Sequence, residues 1–220
     1  MSRRLRIDVF FDFICPWCLI GKRQLEHALV QFRSRHPDVQ VTAIWHGVQL
    51  LQQLPVEGEP FTDFYRKRLG NAEAMTLRQS QVQQAAAAVG LAIDLSRIAT
   101  MPNTGDAHRL FDRVSVTGNE TQREMLLERL FAAYFYRREN LGCRETLLAI
   151  CRSCGIDPQS VADCLKGDGR PFGGLPGAPS GVPSFQIDRR ITVIGAQPAQ
   201  ALLGAMSEAL KESIRERESA

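Results

Sequence analysis

The residues best equipped for chemistry lie near the N-terminus, in "DFICPWCLIGKRQLE" at positions 12–26. Cys15 and Cys18 stand two residues apart, with Pro16 and Trp17 between them. Three chemistries fit that spacing: a dithiol that exchanges disulfides, half of a metal site, or two small buried hydrophobes. A zinc site needs two further ligands at comparable spacing. The other CxxC, "CRSC" at Cys151 and Cys154, is far along the chain. Two structural cysteines around Pro-Trp would be an odd choice where a strand passes into a helix. The dithiol reading therefore leads, with the other two still standing beside it.

The flanking elements decide which sulfur does what. "LRIDVFFDF" reads as a buried strand, apolar with β-branched and aromatic residues. From Pro16 to about Arg35 the pattern is helical, with Leu19, Ile20, Leu25, Leu29 and Phe32 on one face. Pro16 suits the first turn, where its missing N–H costs nothing. "VQVTAIWH" then alternates as a second strand, completing a βαβ unit. Cys15 thus falls at the N-terminus of the helix, where unpaired N–H groups and the helix dipole favour an anion. It is the expected exposed, attacking thiol. Cys18, one turn further in, is the expected resolving partner that closes the disulfide. Pro16 stiffens the turn, and Trp17 offers a flat surface to a partner.

Between Gln49 and Asp168 no strand is evident. "FTDFYRKRLG", "AMTLRQSQVQQAAAAVGL", "NTGDAHRLFDRVSVTG", "ETQREMLLERLFAAYFYRRENLG" and "CRETLLAICRSCGI" read as helices, and "DPQSVADCLKG" as a short last one. The Gly/Pro-rich "GDGRPFGGLPGAPSG" cannot be helix and is expected to be a mobile loop, over about 167–181. "VPSFQID" and "RITVIGA" then suggest a hairpin, and "QPAQALLGAMSEALKESIRERE" a long amphipathic helix with a solvated end. The expected fold class is α/β: a thioredoxin fold interrupted after its second strand by an all-helical insertion domain. Residues 1–48 and 180–220 form the thioredoxin-like part and 49–179 the insertion, which should cap the CxxC face.

Three patches resemble a known family. "FDFICPWCLIGKRQLE" is similar to the first motif of the DsbA-like thioredoxin-fold oxidoreductases, particularly the FrnE-type subgroup, in which CPWC is followed by an Ile-Gly-Lys/Arg run. "SGVPSFQIDRRITVIGAQP" (180–198) resembles the family's Gly-Val-Pro-x-Phe loop, hairpin and Ala-Gln-Pro helix start. "NTGDAHRLF" resembles its Asn-Thr…Ala-His segment. The resemblance implies that Pro183 is a cis-proline lying against the CxxC and that Val182 offers its backbone to an extended substrate segment. It also implies that Asn103 and His108 face the site. Two departures stand out: a Gly/Pro-rich stretch replaces the charged helix that usually leads into the loop, and the "DRR" hairpin turn lacks the usual glycine.

The same topology serves glutathione-dependent isomerases of the 2-hydroxychromene-2-carboxylate type and the kappa-class glutathione transferases. These typically keep a Ser in place of the attacking Cys, and that activity is the alternative. With both cysteines present, disulfide exchange is the favoured reading. No metal or organic cofactor is then called for, because the two thiols carry the electrons. The expected partners are protein or small-molecule thiols and disulfides, with glutathione as a candidate co-substrate.

Bulk properties agree. Across 220 residues the net charge is only +3, too mild and too evenly spread to indicate nucleic-acid binding. The chain opens with twin arginines, as an export signal does, but Asp8 and Asp12 break the apolar run behind them and no cleavage site follows. No stretch reaches the length of a membrane span. The expected address is the cytoplasm, where six cysteines do not make a static disulfide framework. Cys143, Cys151, Cys154 and Cys164 then read as small buried residues, with a second redox pair or metal site as the alternative. His46 and His108 read first as hydrogen-bonded structural histidines.

Overall fold

The computed structural model describes residues 3–179 and 181–218, with side chains described as far as 212. Ser180, where the sequence places both a domain boundary and the start of the Gly-Val-Pro motif, lies outside the described residues. In chain order the elements are β1 (Arg3–Phe11), α1 (Pro16–Arg35), β2 (Val39–Gly47), β3 (Glu59–Pro60), α2 (Phe61–Leu69), α3 (Ala72–Ala87), β4 (Thr100–Met101), α4 (Gly105–Thr117), α5 (Glu120–Phe135), α6 (Arg144–Ser153), β5 (Ser184–Ile187), β6 (Ile191–Ile194) and α7 (Ala199–Glu218). Short 3-10 turns occupy Leu95–Arg97, Pro158–Ser160 and Ala162–Cys164. Two compact units result: Met1–Phe11, Trp17–His46 and Gly177–Ala220 form one, Asp12–Pro16 and Gly47–Pro176 the other.

The first unit holds a four-stranded sheet in the order β2-β1-β5-β6. β1 runs antiparallel to β5, with Ile7 opposite Ile187 and Val9 opposite Phe185. Alternation along β1 sends Leu5, Ile7 and Val9 into a core with Leu25, Ala28 and Phe32 of α1 and Leu202, Leu203 and Met206 of α7. Each large apolar side chain buried there contributes about 1.5–3 kcal/mol. Gln24 of α1 accepts the Ala199 N–H at 2.9 Å, tying the start of α7 to the helix that carries Cys18. The βαβ and ββα pieces are those of a thioredoxin fold, interrupted after its second strand.

The hairpin turn shows how a sequence without glycine manages. Asp188 and Arg189 both take left-handed φ, 48° and 59°. Asp tolerates that region better than most residues. Its carboxylate also accepts the Arg6 N–H at 2.7 Å, and its own N–H donates to Arg6 O at 2.8 Å, so β1 holds the turn in place.

The second unit is helical except for a small ribbon. Glu59 pairs with Met101 and Pro60 with Thr100, an antiparallel contact too short for any strand pattern to reveal. "DPQSVADCLKG" forms two 3-10 turns instead of a helix. α5 starts on a capping box in which Asn119 and Gln122 each satisfy the other's backbone. Leu110, Phe111, Leu126, Leu130, Phe131 and Leu147 fill the interior. The stretch expected to be mobile is fastened at its start. The Asp106 carboxylate accepts the N–H groups of Lys166 at 2.9 Å and Gly167 at 2.7 Å. Arg109 donates to the carbonyls of Arg170 and Pro171, and Gln49 Oε1 accepts the Phe172 N–H at 2.7 Å.

Candidate active site

Residues 12–15 turn the chain from β1 into α1, and the Cys15 N–H closes the turn onto Asp12 O at 3.2 Å. α1 begins with Pro16, so Cys15 immediately precedes the helix and Cys18 lies in its first turn. Both are thiols. The sequence reading made Cys15 the exposed member; it is in fact buried, at 7% exposure, while Cys18 retains only 1%. The order of accessibility is as expected but the degree is not, because apolar Phe13 and Ile14 sink the turn into the core. Pro16 and Trp17 remain half-buried.

On the sheet side, the Val182–Pro183 peptide bond is cis, and Pro183 O accepts the Gly195 N–H at 2.7 Å. The Pro183 ring abuts α1 at Gly21, three residues beyond Cys18: a Cβ on Gly21 would lie 2.9 Å from Pro183 Cγ. The sequence named Gly21 only as part of a motif run; its lack of a side chain is what admits the Pro183 ring. Nearby on α1, Lys22 is buried, pairs with Glu26, and holds its Nζ 6.0 Å from the Trp45 ring centroid.

In the helical unit, Asp12 is the centre of a buried polar knot. Its Oδ2 accepts the Leu50 N–H at 2.8 Å, and its Oδ1 lies 3.1 Å from His108 Nε2 and 3.4 Å from Ile14 N. The His108 ring stands between Phe13 and Phe172, with centroids 5.0 and 5.3 Å away. Asn103 is also buried. Its Oδ1 accepts from Gln49 Nε2 and from the Gly105 N–H, both at 2.9 Å, and its Nδ2 donates to Leu54 O at 2.7 Å. The described bonds of Asn103 and His108 thus go to neighbours within their own unit. Asp12 and Gln49 were missed by sequence reasoning. The available signal was Asp12 itself, a carboxylate in an otherwise apolar run, which must find partners if buried.

His46 has its partners on β1, in the first unit. Its Nε2 is 2.6 Å from Asp8 Oδ1, its ring stacks on Phe10 at 5.1 Å, and Arg6 donates to both Asp8 oxygens at 2.8 and 2.6 Å. Burial alone would push the Asp8 carboxyl up, but the hydrogen bonds and charges of Arg6 and His46 outweigh it and hold the group below its usual range. Cys151, Cys154 and Cys164 are buried, and burial pushes all three thiols up; Cys151, beside the other two, reaches about 12. Such thiols are poor nucleophiles. Cys143, half-buried, donates its S–H to Glu145 at 3.2 Å.

Among the described residues no helix is long and apolar enough to cross a membrane. A crystal structure of a probable DsbA oxidoreductase from Streptomyces coelicolor is similar over 94% of this chain and 91% of its own, with TM-score 0.75 and 26% identity. A 2-hydroxychromene-2-carboxylate isomerase shares the fold at TM-score 0.64 and 15% identity, covering 96% of this chain and 98% of its own. The cytosolic disulfide reductase DsbM from Pseudomonas aeruginosa, solved alone and with glutathione, does so at TM-score 0.56 and 14% identity, covering 98% and 100% in the structure without glutathione. The model of the DSBA-like thioredoxin domain matches residues 6–169. With that match spanning most of the chain, the CxxC at the strand-to-helix turn and Pro183 against the same helix, the chain belongs to the DSBA-like thioredoxin domain family.

Proposed function

We propose that this protein is a thiol–disulfide oxidoreductase that exchanges disulfides through Cys15 and Cys18, acting in the cytoplasm on protein or small-molecule partners. As a reductant, the Cys15 thiolate attacks one sulfur of a substrate disulfide, forming a mixed disulfide and releasing the first substrate thiolate. The Cys18 thiolate then attacks Cys15 Sγ, releasing the second substrate thiol and leaving a Cys15–Cys18 disulfide. Two electrons have passed to the substrate. The reverse sequence oxidises a substrate dithiol. We assign Pro16, Trp17, Val182 and Pro183 to contact with an extended partner.

The observation that carries this reading is the arrangement around one helix: Cys15 immediately before it, Cys18 in its first turn, and the Pro183 ring packed against Gly21 one turn on. Glutathione is the small-molecule partner we favour, since one protein of the same fold is a cytosolic disulfide reductase solved with it.

Replacing Cys18 by Ser should trap mixed disulfides at Cys15, identified by mass spectrometry, and Cys15→Ser should abolish both trapping and turnover of a disulfide substrate. Recovery of protein partners assigns protein-disulfide work, and recovery of glutathione alone assigns small-molecule exchange. A Cys15→Ser protein that still turns over a chromene substrate with glutathione would overturn the reading in favour of the isomerase chemistry of the shared fold.

A further inference from the structure

Asp12 has no exposed surface, yet it sits three residues before the reacting sulfur. Its carboxylate holds the turn from two sides: Oδ2 takes the Leu50 N–H, Oδ1 faces His108 Nε2 and Ile14 N, and its carbonyl takes the Cys15 N–H. His108 cannot swing away. Phe13 and Phe172 flank its ring, and a Cβ on Gly47 would overlap its Nδ1 edge.

Holding a turn does not require a charge. An asparagine would accept the Leu50 N–H equally well, and His108 could pair with its amide by changing tautomer. A buried carboxylate is the expensive choice, because removing an ion from water costs several kcal/mol before its partners compensate. What the charge adds is a field at the turn that carries Cys15, whose N–H closes onto the Asp12 carbonyl at 3.2 Å. To the extent that the reduced form carries a thiolate, a negative group beside the turn disfavours that form and so favours the disulfide over the dithiol. A charged His108 softens this without reversing it: removing the carboxylate makes the surroundings of the sulfur more positive in either state of the histidine.

We propose that Asp12, oriented by His108, is a positioning residue that fixes the turn carrying Cys15 and biases the Cys15–Cys18 couple toward the disulfide, making the protein a stronger reductant. The proposal rests on the exchange reading of the two cysteines.

The test equilibrates wild type, Asp12→Asn, His108→Gln and His108→Leu in glutathione buffers and measures the Cys15–Cys18 dithiol fraction by differential alkylation and mass spectrometry. Asp12→Asn should shift the equilibrium constant with glutathione at least tenfold toward the dithiol, about 30 mV for a two-electron couple. His108→Gln, which keeps a donor near the position of Nε2, should stay within threefold of wild type. An Asp12→Asn constant within twofold of wild type overturns the proposal. Should that variant not fold, the histidine pair decides. A constant that moves at least threefold in His108→Leu but not in His108→Gln supports the proposal, and equal constants overturn it. A wild type that forms no Cys15–Cys18 disulfide in any buffer overturns this inference and the exchange reading together, whereas an unmoved Asp12→Asn beside a titrating wild type overturns only the role of Asp12.

Discussion

The ring of Pro183 occupies the space that a side chain on Gly21 would need: a methyl group there would sit 2.9 Å from Pro183 Cγ and 3.1 Å from Phe185 Cζ. Neither neighbour is the loose end of a flexible chain. Gly21→Ala must therefore displace the cis-proline segment, α1 or both, at an overpacking cost of about 1–3 kcal/mol. We expect a lower denaturant midpoint with unchanged m-value, and slower exchange with a peptide disulfide at equal thiol content. A variant with wild-type midpoint and rate would show that the close approach of Pro183 to α1 is not needed.

Much of this arrangement is legible in the sequence, and the reasons are local. β1 and α1 announce themselves through a change of period at Cys15–Pro16, and the hairpin through two β-branched runs either side of Asp188. What escapes is pairing at long separation. Asp12 and His108 are 96 residues apart, and Gln49 reaches Phe172 across 123; nothing in either neighbourhood specifies the partner. The Gly/Pro-rich stretch misleads for the same reason. Its composition forbids helix, but its order at residues 166–172 comes from Asp106, Arg109 and Gln49, side chains on distant segments. The β3–β4 ribbon is simply too short to carry a period.

The raised Cys151 thiol has a consequence for stability in alkali. Unfolding returns it to an ordinary cysteine, which ionises near pH 8.5–9, while the folded protein keeps it protonated to about 12. Between those values the folded state binds more protons than the unfolded, so stability falls as pH rises, by up to about 1.4 kcal/mol per pH unit. Below about pH 8.5 the contribution is constant. Cys151→Ala should therefore lose stability at pH 7, from the buried volume removed, yet show a shallower decline from pH 9 to 11. Urea titrations at stepped pH measure both slopes, and parallel curves would contradict the assignment.

Asp106 fastens the start of the Gly/Pro-rich stretch through the backbone of Lys166 and Gly167, and pairs with Arg109 at 2.7 Å. Arg109 in turn holds the Arg170 and Pro171 carbonyls. Asp106→Ala removes an acceptor from two N–H groups and loosens the arginine, at about 1–3 kcal/mol. Hydrogen exchange at the Lys166 and Gly167 amides should accelerate by one to two orders of magnitude while α7 amides change little. Equal acceleration throughout would indicate global destabilisation rather than release of a strap.

Gly47 and His108 give the sharpest test of packing around the imidazole. A Cβ at position 47 would overlap the imidazole at Nδ1 and lie 3.0 Å from Cγ, and the glycine does not adopt a positive φ, so crowding by the ring is the reason for glycine there. Gly47→Ala alone should cost about 1–3 kcal/mol by overpacking. His108→Ala alone should cost about 2–4 kcal/mol, since it opens a cavity between Phe13 and Phe172 and strips Asp12 of one of its partners. Combined, the new methyl group enters the space the imidazole has left. The double variant should then be more stable than the sum of the single losses predicts, by at least about 1 kcal/mol. Strict additivity in the double-mutant cycle would mean that the two residues are not pressed together, and with it the physical basis for a locked His108 would fail.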